Sequence, residues 1–255
     1  MKVLGIDIGG TGIKGAVVDT NKGVFKTDRL RILTPHPATP DAVAEVVGEI
    51  VDHFEWEGPV GCTFPGVVTH GVIRTAANLD HEWIGLQASS HLGRGRSMTV
   101  LNDADAAGLA EATFGGGGAN KGVVLLLTLG TGIGSALMYH GKLVPNSELG
   151  HLSLHGGDAE KYAAESARER DGLSYEEWAG RLSEYLQLVE DLLWPDLFVL
   201  GGGISKQPDP WLPLVECRTP VTTARLKNKA GIIGAALQAR HHAEHEAKDK
   251  GGKKK

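Results

Sequence analysis

The sequence has few cysteines and no long hydrophobic run. Its two cysteines, Cys62 and Cys217, are too few for a four-thiolate zinc site, and no spacing pattern supports a disulfide between them. The apolar stretches are far shorter than the ~18–20 residues that a membrane span needs. The first residues lack the basic segment, apolar core and cleavage site of a secretory signal. We therefore expect a cytoplasmic protein without a membrane segment.

The chain also lacks an excess of positive charge. Its formal net charge is −5 at pH 7, from 26 Lys and Arg residues and 31 Asp and Glu residues. This balance argues against a protein that coats nucleic acid, although it is compatible with a local basic groove, because net charge does not fix charge distribution. The hydrophobic fraction of 41% and the charged fraction of 22% are ordinary for a globular protein. A chain of 255 residues is long enough for two lobes.

Two glycine turns, each between two apolar strands, occur in the two halves of the chain. The first is Gly9-Gly10-Thr11-Gly12 and the second is Gly130-Thr131-Gly132, each followed by isoleucine. The predicted strands that flank these turns are 2–8, 13–19, 123–129 and 133–139. Chance rarely places both matches between two apolar strands. The repeat therefore predicts a duplicated architecture.

The remaining pattern predicts alternating strands and helices. The predicted strands are 59–63, 97–101 and 197–200, and the predicted helices are 41–56, 104–113, 174–193 and 230–241. A glycine run at 115–118 fits either a lobe boundary or an ordinary surface loop. We expect a small α/β lobe from 1–112 with 230–245, a large α/β lobe from 113–229, and a disordered charged tail from 246–255.

The two glycine turns suit phosphate binding, because backbone N–H groups can approach phosphate oxygens where no Cβ intervenes. Neither turn is a P-loop, since no Gly-Lys-Ser/Thr sequence closes it. Each alone also fits an ordinary hairpin, but as a pair they favour two hairpins that clamp a phosphoryl donor between two lobes. Asp7 precedes the first turn and suits Mg²⁺ or its waters, or a turn cap. Lys14 follows the turn and either reaches a phosphate or stays solvated.

Polar residues at two further positions suit the acceptor side of a phosphoryl transfer. Asn102-Asp103 lies where a predicted strand meets a helix, so Asp103 either accepts a proton from a sugar hydroxyl or caps the helix. Glu148 and His151, separated by two residues that include a glycine, suit a vicinal diol, although such a pair is often structural. Glu160 either adds a third acceptor or is an ordinary helix residue.

Five motifs, taken in order, resemble those of the ROK family (repressors, open reading frames, kinases). They are Asp7-Ile8-Gly9-Gly10-Thr11, Asn102-Asp103, Leu129-Gly130-Thr131-Gly132-Ile133-Gly134, Glu148-Leu149-Gly150-His151 and Gly201-Gly202-Gly203-Ile204-Ser205. Their order and spacing agree with the family from residue 3 to about residue 240. Within it, the chain is most similar to the polyphosphate glucokinases of actinobacteria, through the segments 64–68, 75–80, 83–85, 193–196, 219–221 and 228–232.

The resemblance implies a two-lobed α/β fold of the actin-like, hexokinase-like (ribonuclease H-like) type, with a duplicated core, an active-site cleft between the lobes and a homodimer. It implies that Asp103 is the general base. The implied sugar-binding residues are Asn102, Glu148, His151, Glu160, Pro65 and Gly66. The implied phosphate-binding residues are Asp7, Gly9, Gly10, Thr11, Lys14, Gly130, Thr131, Gly132 and Gly202.

Two departures from the wider family narrow the interpretation. Many ROK proteins carry a cysteine-rich zinc motif shortly after the position of His151, and 152–159 contains no cysteine. We therefore expect His151 to contact sugar, no zinc, and Mg²⁺ bound with the phosphoryl donor. A strand predicted from Lys2 leaves no room for an N-terminal helix-turn-helix, which argues against a DNA-binding regulator. The intact Asp103 argues against a sugar-binding sensor without catalysis.

The resemblance implies transfer of the terminal phosphoryl group of inorganic polyphosphate to the 6-hydroxyl of glucose, and leaves open whether ATP also serves. The alternative is an ATP-dependent glucokinase or hexose kinase. With either donor, the acceptor residues leave mannose or glucosamine open as minor substrates. A long polyanion needs a basic track. The candidate track residues are Lys14, Lys142, Arg168, Arg170, Arg181, Lys206, Lys227 and Lys229.

Overall fold

The computed structural model describes residues 1–76 and 79–252, with side chains up to residue 248. Ala77 and Asn78, which belong to the segment 75–80 noted above, and residues 253–255 of the predicted tail lie outside the described residues. The chain divides into two compact units. Unit 1 comprises Met1–Ala110 and Lys229–Lys255, and unit 2 comprises Glu111–Asn228.

Strands and helices alternate along the chain, as the sequence pattern predicts. The strands are β1 Lys2–Gly9, β2 Gly12–Asp19, β3 Val24–Phe25, β4 Leu30–Ile32, β5 Val60–Phe64, β6 Val68–Thr69, β7 Val72–Ile73, β8 Met98–Asn102, β9 Val123–Leu129, β10 Ile133–Tyr139, β11 Lys142–Val144, β12 Ser153–Leu154, β13 Gly157–Asp158, β14 Leu197–Gly202 and β15 Val221–Thr223. The α-helices are α1 Pro40–His53, α2 Ala88–Gly93, α3 Asp103–Ala110, α4 Glu160–Ala163, α5 Glu165–Asp171, α6 Tyr175–Leu193 and α7 Ala230–Gly252. One π-helical segment, Glu111–Gly115, follows α3.

The main sheets of the two units share one topology. In unit 1 the strand order is β3-β2-β1-β5-β8, with β4 also paired to β2. β1 and β2 are antiparallel, whereas β5 and β8 continue the sheet in parallel. In unit 2 the order is β11-β10-β9-β14-β15, with an antiparallel β9–β10 hairpin followed by parallel β14 and β15. The repeated arrangement confirms the predicted α/β fold with a duplicated core.

In unit 1, helix α7 packs unusually close to its neighbours because glycines face the contact. A Cβ atom at Gly234 would lie 1.8 Å from the carbonyl oxygen of Ala106 in α3. A Cβ atom at Gly61 in β5 would lie 1.9 Å from the carbonyl oxygen of Ala235 in α7. These distances are shorter than any van der Waals contact, so side chains at these glycines would force the backbones apart.

In unit 2, helix α6 begins with a capping box. The backbone N–H of Glu177 donates to Ser174 Oγ at 3.2 Å, and the backbone N–H of Ser174 donates to Glu177 Oε2 at 2.9 Å. These bonds satisfy backbone groups that the first helical turn leaves open. Apolar side chains recur at helical spacing along α6. Of these, Trp178, Leu182, Leu186 and Val189 are buried, and Leu193 is half-buried.

The largest difference from the predicted elements is the length of α7. The sequence predicted that the last helix would end near His241, with a disordered tail from 246. The helix instead continues to Gly252. Residues 242–248 are mostly Ala, Glu, Lys and His, and Ala, Glu and Lys are strong helix formers. An ion pair between Arg240 Nε and Glu244 Oε1, at 2.7 Å and with i,i+4 spacing, also favours the helical turn. None of the helices in the described part of the chain has both the length and the hydropathy required to cross a bilayer.

Candidate active site

Asp7 lies near the carboxyl end of β1, and both of its carboxylate oxygens have partners. Lys14 Nζ is 3.3 Å from Oδ2, and the Thr63 hydroxyl donates to Oδ1 at 2.9 Å. The Thr63 hydroxyl also accepts a hydrogen bond from the backbone N–H of Ile8 at 3.1 Å. The carboxylate is therefore held in one orientation while keeping 22% of its side chain exposed. The sequence analysis missed Thr63, which lies beside Asp7 only because β1 and β5 pair in that register.

The first glycine turn is the tip of the β1–β2 hairpin. Gly9 and Gly12 face each other at the last register position of the two strands, and Gly10 and Thr11 are exposed between them. The Thr34 hydroxyl donates to the carbonyl oxygen of Gly9. The turn is thus fixed from one side while its tip stays open, which is the arrangement that a phosphate-binding hairpin requires.

The structure separates the two roles that the sequence left open for Asp103. The side-chain oxygen of Asn102 accepts a hydrogen bond from the backbone N–H of Asp105 at 3.0 Å, so Asn102 caps α3. Asp103 is the first residue of the helix and is exposed. Its Oδ1 accepts a hydrogen bond from the backbone N–H of the adjacent Ala104 at 2.8 Å. Asp103 is therefore not needed as the cap.

Asn102 also fixes the loop after β5 that contains Pro65 and Gly66. Its Nδ2 donates to the carbonyl oxygen of Gly66 at 3.1 Å. A Cβ atom at Gly66 would lie 2.3 Å from the carbonyl oxygen of Thr75, so the loop requires glycine there. An amide nitrogen carries two hydrogens. In the described part of the chain Nδ2 meets one acceptor, which leaves its second hydrogen available to another acceptor.

In unit 2, the second glycine turn is held by Glu160 and Ser166. Glu160 Oε2 accepts from the backbone N–H of Ile133 at 3.1 Å, and a Cβ atom at Gly132 would lie 2.3 Å from the same oxygen. The backbone N–H and the hydroxyl of Ser166 donate to the carbonyl oxygens of Gly130 and Thr131, at 3.0 and 2.6 Å. Glu160 therefore supports the turn in addition to the predicted sugar role, and Ser166 is a supporting residue that the sequence analysis missed.

Gly202 ends β14 beside this hairpin. Its φ is +92°, and a Cβ atom there would lie 1.9 Å from the carbonyl oxygen of Leu129, so both the conformation and the space require glycine. The Glu165 carboxylate lies close to Gly203, the residue after Gly202: a Cβ atom at Gly203 would be 3.3 Å from Glu165 Oε2. Burial raises the pKa of Glu165, and the nearby Glu169 raises it further.

His151 is surrounded by carboxylates. Its Nε2 is 3.7 Å from Glu148 Oε2, and its Nδ1 is 3.8 Å from Asp158 Oδ2 and 4.0 Å from Glu160 Oε1. The structure thus brings together the three predicted sugar-binding residues of unit 2 and adds Asp158. Burial raises the pKa of Glu148, and the Glu160 carboxylate raises it further against the opposing effect of His151.

The same cluster has the donor atoms of a cation site. One ligand atom each from His151, Asp158 and Glu160 lies within 4.8 Å of the others. However, Lys161 Nζ is 3.1 Å from Asp158 Oδ2, and this hydrogen bond and charge hold the pKa of Asp158 below its ordinary value. An ammonium group at a ligand position opposes a metal cation. The cluster therefore fits hydroxyl binding better than metal binding.

Several residues of the predicted basic track are engaged in local ion pairs or ring contacts. Arg170 Nε and Arg181 Nη1 lie 2.8 and 2.7 Å from the two oxygens of Asp171. These hydrogen bonds lower the pKa of Asp171 to about 2. Lys14 is paired with Asp7 as described above. The side chains of Arg168 and Lys229 lie over the rings of Tyr175 and Phe25.

Each unit has a glycine-turn hairpin followed by parallel strands, and unit 1 places an exposed aspartate after the last of these strands. This combination defines the class of actin-like, hexokinase-like phosphotransferases. The family model described as "ROK family" matches residues 3–161. The chain belongs to the ROK family.

Among characterised relatives, the polyphosphate glucokinase of Mycobacterium tuberculosis is 54% identical over 91% of this chain and 89% of its own length. The crystal structure of an inorganic polyphosphate/ATP-glucomannokinase from Arthrobacter sp. strain KM is similar with a TM-score of 0.87. It is 52% identical and covers 94% of this chain and 99% of that one. A ROK family glucokinase from Streptomyces griseus, solved with glucose and AMPPNP, is 24% identical and matches 94% of this chain and 100% of its own, with a TM-score of 0.79. It shows the shared fold.

Proposed function

We propose that this chain transfers the terminal phosphoryl group of inorganic polyphosphate to the 6-hydroxyl of glucose. The observation that carries this proposal is the 54% identity, over 91% of the chain, to a polyphosphate glucokinase. The products are glucose 6-phosphate and a polyphosphate shorter by one phosphoryl group. ATP is a second candidate donor, because the Arthrobacter relative is named for both polyphosphate and ATP.

In this proposal Asp103 is the general base. Its carboxylate accepts the proton of the 6-hydroxyl while that oxygen forms a bond to the terminal phosphorus, and the bond from phosphorus to the next phosphate breaks. The support is its exposure at the carboxyl end of β8 and the presence of a different residue, Asn102, as the helix cap. A carboxylate committed to capping would be a poor proton acceptor.

Glucose hydroxyls are bound in this proposal by residues that accept and donate hydrogen bonds. In unit 2, His151 lies 3.7 Å from the Glu148 carboxylate and 4.0 Å from the Glu160 carboxylate, a spacing that suits adjacent hydroxyls of a sugar ring. In unit 1, Asn102 contributes its second amide hydrogen and orders the loop of Pro65 and Gly66.

Phosphates are bound in this proposal by the two glycine turns and by Gly202. Mg²⁺, held through the donor phosphates, would neutralise charge on the donor. Asp7 would contact the waters of this ion, because the Lys14 ammonium, 3.3 Å from the Asp7 carboxylate, opposes a direct bond to the metal. The support for Asp7 is its fixed, partly exposed carboxylate. The family resemblance further supports a homodimer that acts in the cytoplasm.

The test is formation of glucose 6-phosphate from glucose and Mg²⁺, with long-chain polyphosphate, ATP or GTP as the sole donor. We expect turnover with polyphosphate, and the relative rate with ATP distinguishes strict from dual use. Turnover with ATP alone would replace the polyphosphate assignment by an ATP-dependent glucokinase. A preparation that forms no glucose 6-phosphate with any of the three donors would contradict the proposal.

The raised pKa of Glu148 predicts a pH dependence of glucose binding. The carboxylate accepts hydrogen bonds from hydroxyls only when ionised, so affinity should fall as the pH falls through its pKa, which lies above the ordinary value of 4.5. Calorimetric titration with glucose between about pH 4 and 8 measures this loss. Glu148→Gln should bind glucose more weakly, and its affinity should no longer show the decrease at acidic pH that protonation of Glu148 causes.

The matched control for this pH series is Glu45→Gln, since Glu45 is exposed on α1. It should retain the affinity and the profile of the unmodified protein. If the glucose affinity of Glu148→Gln fell at acidic pH as much as that of the control, protonation of Glu148 would not be the cause of this decrease.

A further inference from the structure

Arg31 lies beside the first glycine turn, although it is far from the turn in sequence. It is the central residue of β4, which pairs with β2 so that Arg31 is opposite Lys14. Lys14 is in turn opposite Asp7 of β1. Side chains at directly opposed positions share one face of a sheet. A guanidinium, an ammonium and a carboxylate therefore form a row across three adjacent strands next to the turn.

The guanidinium is held against the backbone of the turn. Arg31 Nη2 donates to the carbonyl oxygen of Thr11 at 3.3 Å. A Cβ atom at Gly12 would lie 2.7 Å from Arg31 Nε and 3.1 Å from Nη2. The absence of a side chain at Gly12 thus provides the space that the guanidinium occupies. Arg31 is otherwise exposed.

The positive charge of Arg31 is not neutralised by the residues that the structure describes. No carboxylate in that part of the chain forms an ion pair with it, whereas the ammonium of Lys14 is paired with Asp7. A guanidinium has five N–H donors in a planar fork, and the bond to Thr11 uses one of them. The others are available to an anion at the turn.

We propose that Arg31 binds phosphoryl oxygens of the donor at the first glycine turn. This inference rests on the proposed phosphotransfer function. The planar fork of arginine matches two oxygens of one phosphate, which a lysine ammonium cannot do. Lys14 positions Asp7, and Arg31 provides the uncompensated charge that attracts a polyanion to the turn.

The experiment compares Arg31→Ala and Arg31→Lys with Arg29→Ala. Arg29 is an exposed arginine two residues away in the same segment, so its removal makes the same change in net charge. We expect Arg31→Ala to raise KM for long-chain polyphosphate by about 10–100-fold, the effect of losing hydrogen bonds to a charged group. The KM of Arg31→Lys for polyphosphate should lie between those of the unmodified protein and Arg31→Ala. Arg29→Ala should stay within about twofold of the unmodified protein. The KM for glucose should not change in any of these variants.

A second readout does not require turnover. Calorimetric titration of inorganic tripolyphosphate into the protein without glucose should show the same order of affinities among the variants. Unmodified protein that forms no glucose 6-phosphate with polyphosphate, ATP or GTP would remove the proposed function itself. An active protein in which Arg31→Ala and Arg29→Ala behave alike would overturn the role of Arg31 alone.

The KM for glucose distinguishes a phosphate-binding role of Arg31 from a purely structural one. If Arg31→Ala and Arg31→Lys both raised KM for glucose as much as KM for polyphosphate, Arg31 would be a support of the fold, and the proposal would be wrong. Selective loss of donor affinity, with partial retention in Arg31→Lys, would establish a phosphate-binding residue.

Discussion

Replacing Asp103 with asparagine is expected to lower kcat for glucose phosphorylation by about 10²–10⁴-fold, the usual contribution of a general base. An amide is isosteric with a carboxylate but cannot accept the proton of the attacking hydroxyl. The fold should survive, because Asn102 caps α3 and the amide oxygen can still accept from the Ala104 N–H. Losing a negative charge in the first turn of a helix costs only about 0.3–1 kcal/mol.

The measurement pairs steady-state kinetics with a glucose titration by calorimetry. We expect Asp103→Asn to bind glucose with an affinity close to that of the unmodified protein while turnover falls, which is the signature of a residue that acts in the transition state. Asp41→Asn is the matched control, since Asp41 is an exposed aspartate in the first turn of α1. It should remain active within about twofold.

Two other outcomes would contradict the assignment of Asp103. Retained turnover in Asp103→Asn would show that another group takes the proton. Equal losses of turnover and of glucose affinity would indicate that Asp103 binds the sugar without acting as a base.

Replacing Gly234 with alanine is expected to destabilise unit 1 by about 1–3 kcal/mol or more, the cost of forcing an extra methyl group into a packed contact. The added Cβ would meet the backbone carbonyl of Ala106 at 1.8 Å. A backbone atom inside helix α3 cannot rotate away as a side chain can. The two helices must therefore separate, which also disturbs α3 immediately after Asn102 and Asp103.

Gly48→Ala is the matched control with the opposite expected sign. Gly48 also lies within a helix of unit 1, α1, but no atom lies within 4 Å of the position of an added Cβ. Alanine there should stabilise the protein by about 0.5–1 kcal/mol, because it reduces the entropy of the unfolded chain.

Thermal unfolding measures both changes. We expect the Tm to fall by about 2–12 °C for Gly234→Ala and to rise slightly for Gly48→Ala, at roughly 2–4 °C per kcal/mol for a chain of this size. Equal shifts in the two variants would show that helix propensity, rather than the contact between α3 and α7, determines the effect at Gly234.

The elements that the sequence predicted correctly are those with strong local patterns. β9 and β10 have the predicted bounds, because their apolar runs are separated by a glycine turn. The amphipathic pattern of residues 174–193 predicted α6 in the same way, with bounds within one residue of those observed. The length of the C-terminal helix α7 was underestimated from the sequence. Its charged end lacks an apolar face, so its last turns depend on helix propensity and side-chain pairs.

Within the candidate site, the sequence analysis found residues that lie in a motif. It missed residues whose role is to hold another site residue by a hydrogen bond. Asp7 and Asn102-Asp103 stand in recognisable motifs. Thr63, 56 residues from Asp7 along the chain, orients its carboxylate, and Ser166, 35 residues from Thr131, holds the second turn. Neither has a local sequence signal, since threonine and serine are common on surfaces and in loops.

The sequence by itself determined the two glycine-turn hairpins, the order of strands and helices, and the motifs of the ROK family. Only the tertiary structure decided that Asn102 rather than Asp103 caps α3 and that Glu160 supports a turn. It also placed Arg31 beside the first turn. The physical reason is range: turns, caps and periodicity arise from residues a few positions apart. The pairing of β2 with β4 and of β1 with β5 depends instead on how a whole unit packs.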